Sequence, residues 1–145
     1  MKDLITAVAS LMLLLLFVLQ FAGNQNLHTR MFRADMASEN FRDAAGLQGY
    51  ISDENRSLLS ESLAGICGCS PEEILVEAED SRQPKPEGTL LHYRVGYPLK
   101  DLVAAAAMLG ILPEENRVWM EDEGWVVSRF YISEKPSVSE EENAE

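Results

Sequence analysis

Groups that do chemistry are scarce in this chain. It has two histidines, His28 and His92, and two cysteines, Cys67 and Cys69. Neither histidine belongs to an HExxH zinc pattern, and no P-loop, dinucleotide-binding glycine fingerprint or nucleophile elbow is present. Carboxylates are plentiful, but they cluster in polar stretches. A general acid needs a buried or paired setting to shift its pKa. The reading is therefore not an enzyme, with no cofactor and no metal. Positive charge is also in short supply, with 12 Lys and Arg against 24 Asp and Glu and a formal net charge of −12. Such a balance repels phosphate backbones, so no nucleic-acid partner is expected. The absence with the largest consequence is local. No charged residue, glycine or proline occurs from Leu4 to Ala22.

That run would rise about 28 Å as a helix, close to the roughly 30 Å hydrocarbon core of a bilayer. It reads as a transmembrane anchor spanning residues 1–23. The competing reading is a cleaved secretory signal, whose apolar stretch is usually about 7–15 residues and therefore shorter. Gln20 and Ala22 flank Phe21, which makes a poor small-x-small cleavage site. Within the anchor, Thr6, Ala7 and Ser10 put small side chains on one face, where a second membrane helix could approach closely.

The helix does not end with the apolar run. Leu27, Met31, Ala34, Ser38, Phe41 and Ala45 follow helical 4-3-4-3 spacing, while Arg30, Arg33, Asp35, Glu39, Arg42 and Asp43 fall elsewhere on the wheel. This predicts an amphipathic stalk over 24–46, continuous with the anchor and ended by Gly46 and Gly49. Its stripe (Leu27, Met31, Ala34, Phe41 and Ala45 above all) packs either on the chain's own domain or on a partner helix.

Residues 47–134 then hold one small head domain. Ser52 is a good N-cap for a second helix, with Leu58, Leu59, Leu63 and Ile66 as its buried face. Ser70-Pro71-Glu72-Glu73 has the form of a capped helical turn. Ile74 to Glu79 alternates like a strand, and residues 80–88 read as a loop. Thr89 to Tyr97 reads as a strand closed by Pro98, and Asp101 to Leu109 as an alanine-rich helix ended by Gly110. Asn116 to Met120 and Trp125 to Ile132 form two last strands about a hairpin turn at Glu121–Gly124. The fold class is thus α+β: a transmembrane helix, an amphipathic stalk, and a four-stranded, mainly antiparallel sheet packed with helices. Residues 135–145 are an acidic, disordered tail.

Cys67-Gly68-Cys69 leaves three readings open. One is a disulfide across Gly68, another is a pair of unbonded structural thiols, and the third is a soft-metal site lacking further nearby ligands. Orientation signals conflict. Lys2 is the one basic residue before the anchor, and Arg30, Arg33 and Arg42 follow it, which favours a cytoplasmic head. Long domains cross membranes largely regardless of charge, and paired cysteines favour an oxidising side. The expected location is the cell membrane, single-pass, with the head extracytoplasmic.

Lys2-Asp3 leads straight into the apolar helix and stalk. Gly49-Tyr50-Ile51-Ser52 introduces the second helix. Tyr93-Arg94-Val95-Gly96-Tyr97-Pro98-Leu99 and Gly124-Trp125-Val126-Val127-Ser128 are strands of a small two-cysteine head. This layout resembles the minor pilin-like TadE/TadF proteins of tight-adherence (Flp) pilus systems, in their divergent Gram-positive form. The resemblance implies a non-catalytic structural or assembly component of a cell-surface pilus or secretion apparatus. Its partners would be the lipid bilayer and other single-pass pilin-like subunits or polytopic platform proteins. The chain departs from processed pilins in lacking their small-residue cleavage site and the glutamate five residues into the mature helix. An unprocessed accessory subunit is the corresponding expectation. A function of another class, a membrane-tethered extracytoplasmic binding or sensor domain, fits the same architecture.

Overall fold

In a computed structural model, residues 2–79 and 83–131 are described. The first element, α1 (Lys2–Gln48), is one uninterrupted helix of 47 residues, about 70 Å long at the usual rise. Ser52 caps α2 (Asp53–Cys67) by accepting a hydrogen bond from the Asn55 amide, with Asp53 and Glu54 in its first turn. Gly68, at φ 66°, closes α2 in the left-handed conformation. A 3-10 turn at Pro71–Glu73 follows. There the Ser70 hydroxyl and the Glu73 carboxylate form a reciprocal capping box. The Ser70 amide, and after it Lys100, holds the Glu73 carboxyl below its ordinary pKa.

Three antiparallel strands make the sheet, in the order β1 (Leu75–Ala78), β2 (Leu90–Lys100), β3 (Arg117–Val127). Strand β2 is central, with Leu75 opposite Gly96 on one side and Val95 opposite Asp122 on the other. Alternation then sorts the side chains. Leu91, Tyr93, Val95, Tyr97 and Leu99 point inward, onto Leu59 and Leu63 of α2 and Phe41 of α1. His92 and Arg94 point outward.

Four expectations are corrected. The sheet has three strands among the described residues, because Glu121–Gly124 is no hairpin turn. Those residues continue β3, opposite Gly96, Val95, Arg94 and Tyr93. Turn propensity yields to two tertiary contacts. Arg94 pairs with Glu121 and Glu77, and the Tyr93 ring fills the space a side chain at Gly124 would need. Second, Pro98 lies inside β2, opposite Trp119. Beyond Gly96, β2 has a neighbour on one side alone among the described residues, where a strand tolerates proline. Third, Asp101–Leu109 is not an α-helix. Asp101 sits at φ 61°, and only Ala106–Leu109 winds, as a 3-10 turn. The Asn116 amide side chain binds both the N–H and the C=O of Val103, a tertiary clamp that overrides alanine's modest propensity. Fourth, Gly46 lies within α1, and Gly49, at φ 73°, ends it. A Cβ at Gly46 would lie 3.2 Å from the Val127 carbonyl oxygen, so this glycine serves close packing. The tail at 135–145 and the far end of the second expected hairpin strand, at Ile132, lie outside the described residues.

Candidate functional site

Two surfaces follow from the helical and strand periodicities, and α1 supplies the first. Its lower part, an 18-residue window of mean hydropathy 2.5, is long and apolar enough to cross a membrane and is 0% buried in the protein. Phe17 is 74% exposed, whereas Phe41, on the same helix, is 4% exposed. Thr6, Ala7 and Ser10 lie on the bare part, and the Thr6 hydroxyl is turned back onto the Lys2 carbonyl.

Higher up, the stripe meets the head. Ala34, Ser38, Phe41 and Ala45 are buried, and Leu27 and Met31 are half-buried against the core. The Phe41 ring stands edge-on to Tyr93, with centroids 6.1 Å apart. Arg42 donates to the Tyr93 hydroxyl, which donates in turn to Asp122. That hydroxyl raises the pKa of Arg42 further.

Arg30 makes the strongest polar tie. Its guanidinium donates to the carbonyls of Ile66 (3.1 Å), Cys67 (2.6 Å) and Lys100 (2.9 Å). The first two are open carbonyls at the negative end of α2. One side chain thereby fastens stalk, second helix and central strand together. Charge periodicity had placed Arg30 merely off the stripe. Nothing in the local pattern separates it from Arg33, three residues on and exposed; its role appears only where α2 and β2 meet it.

With the stripe turned inward, the opposite side of the stalk exposes Phe32, Met36 and Leu47. These residues recur at spacings of four and eleven, near whole helical turns, so they share one face. The sequence reading missed this second, outward seam because the inward stripe carries the cleaner pattern.

Cys67 and Cys69 are free thiols in the structure. As the last residue of α2, Cys67 is turned into the core, and burial pushes its thiol up to about 11. Cys69 is half-buried, and desolvation with Glu73 nearby raises its pKa too. Among the described residues, no three His, Cys, Asp or Glu side chains gather as a metal would need.

The second surface is the outer sheet face. His92 meets Glu123 at 3.0 Å and tilts against the Trp125 ring at 4.7 Å. Trp119 lies over Gly96, where any Cβ would strike its ring. Both indoles are largely exposed. Between them Arg94 and three carboxylates make a polar strip. The small groove between α1 and α2, of about 200 Å³, is lined by Phe41, Leu58, Asn40 and Asn55 among others, and converges no reactive groups. No protein-family model, curated protein or solved structure matches the chain.

Proposed function

We propose that this chain is a non-catalytic, single-pass assembly component of a cell-surface pilus or secretion apparatus, of the TadE/TadF-like minor-pilin kind. The observation that carries the reading is the single helix α1. One unbroken rod runs from an apolar, exposed segment into a packed base for the head. Arg30 and the Phe41 stripe hold the head to that rod, so a force or displacement at the membrane reaches the head without a hinge. The lower segment spans the bilayer, and the head stands outside the cell. Neighbouring single-pass helices pack on the small face at Thr6, Ala7 and Ser10 and on the seam at Phe32, Met36 and Leu47. Small faces let membrane helices approach closely without charged partners.

The test is genetic and physical. Deleting the gene should reduce surface filaments or secretion while the major subunit is still made. A photo-reactive residue at Phe32 should capture small single-pass subunits or platform proteins in intact cells. Wild-type filaments after deletion, or this chain as the dominant protein of sheared filaments, refutes the reading. The exposed Trp119 and Trp125 face favours one second reading, a tethered binding domain. In that case, alanine at both tryptophans abolishes function while cross-links at Phe32 disappear from the picture altogether.

A further inference from the structure

The connection between β2 and β3 is chemically unlike the rest of the head. From Leu102 to Pro113 it has no charged or hydrogen-bonding side chain, while Lys100 and Asp101 stand at one foot and Glu114, Glu115 and Arg117 at the other. Such a segment on a soluble domain ought to be buried. Here Met108 is 76% exposed and Leu109 59% exposed, and Leu112 is also exposed.

Its position explains the composition. The loop lies down along α1, on the side of the apolar run. A Cβ built on Gly23 would lie 2.7 Å from the Ala104 Cβ, so the two backbones touch just above the run. Further down, Ala105 and Leu109 share one apolar hollow with Leu13, Leu16, Phe17 and Gln20. From Leu13 to Ala22 is a rise of about 14 Å. The tip therefore descends well past the end of the apolar run, to a depth that α1 itself gives to lipid.

A backbone entering hydrocarbon must bring its hydrogen bonds with it. This loop does. Asn116, itself buried, satisfies the N–H and C=O of Val103. The amides of Ala106, Met108, Leu109, Gly110 and Ile111 all donate to carbonyls within the loop. Gly110, at φ 73°, closes the turn, its amide directed at the Ala106 and Ala107 carbonyls.

We infer that residues 102–112 form a membrane-inserted loop, a second lipid contact that dips into the same leaflet as the upper part of α1 and seats the head on the bilayer. The inference rests on α1 spanning the membrane. Apolar side chains held about 5–10 Å into the headgroup–acyl boundary bind without spanning. Two contacts at the membrane also fix the head's rotation about the α1 axis, which one helix alone leaves free.

The test uses the full chain in phosphatidylcholine–phosphatidylglycerol vesicles, with and without bromine on the acyl chains. Met108→Trp adds an indole at the tip, and Glu87→Trp adds one on an exposed loop beside Gly49, at the end of α1 remote from the apolar run. Wild-type Trp119 and Trp125 give the background. The Met108→Trp indole should emit at short wavelength and lose most of its emission to the brominated chains, and the Glu87→Trp indole should not. Leu112→Trp gives a second reading of the loop, and unchanged melting of the head checks that each variant folds. A vesicle-bound protein whose Met108→Trp and Leu112→Trp indoles emit as in water overturns the loop and leaves the anchor standing. Short-wavelength emission without bromine quenching means that protein, and not lipid, covers the tip, and it overturns the proposal equally. If the chain does not float with vesicles at all, the anchor reading falls, and the loop falls with it.

Discussion

Phe17 and Phe41 lie on one helix, 24 residues apart, and have opposite surroundings, one exposed and the other buried. Around Phe17 the helix is apolar on every side and touches little else in the protein. Around Phe41 it is apolar on one side only, and that side is the wall of a core. A helix that must satisfy lipid needs apolarity all round, while one that must satisfy a core and water needs it in a stripe. The backbone is indifferent to the change, since its hydrogen bonds are internal in both halves. That indifference lets a single element be apolar enough to cross a membrane in one half and a scaffold for the head in the other.

The largest expected effect breaks this comparison directly. Phe41→Ala should destabilise the head by roughly 3–5 kcal/mol, as other buried aromatic truncations do. Phe17→Ala should leave its stability within about 0.5 kcal/mol. Denaturant melts of the full chain in detergent, followed through tryptophan, measure both. Equal losses would mean that Phe17 is as tightly packed on the head as Phe41. Next comes Arg30. Arg30→Ala leaves carbonyls of α2 and β2 without their donor and should cost about 1.5–3 kcal/mol. Arg30→Lys should recover little, because a point ammonium cannot reach three carbonyls as a planar fork does. The same change at exposed Arg33 should be nearly silent.

Smaller effects sharpen the picture of the head. Burial raises the pKa of Cys67 from 9.0 to about 11, and burial with Asp35 raises Tyr97 to about 12. Each group is held neutral in the folded state. Its contribution is complete below the ordinary pKa and is lost as pH rises through the folded value. Head stability should therefore fall between about pH 9 and 12, and Cys67→Ala should flatten the lower part of that fall. At pH 8, iodoacetamide should label Cys69 before Cys67, and protection of both would show that they are bonded to each other in the cell. The least effect belongs to the surface. Removing the Arg129–Asp43 pair, 2.6 Å apart but exposed, should cost under about 1 kcal/mol and less in salt.

Much of this molecule is written locally. The uncharged run from Leu4 to Ala22, the stripe through Phe41, the Ser52 and Ser70 caps and the left-handed Gly68 each depend on residues within a turn or two. Short-range physics therefore sets them, and they are legible in the chain. What was not legible depends on partners far away in sequence. Glu121–Gly124 has every mark of a turn, yet it is strand because Arg94 and Tyr93, some 30 residues earlier, neutralise and cover it. The run from Asp101 to Leu109 has the composition of a helix, yet Asn116 and the return to β3 hold it as a loop. Arg30 became a clamp only when three carbonyls from two other elements converged on it. The sequence by itself determined that one helix would be apolar all round below and striped above, because helical period and hydropathy need no third dimension. Only the tertiary structure decided which way the stripe turns, which turns become strand, and that an alanine-rich loop lies against the anchor, because each is a contest between local preference and a contact the chain must fold to make.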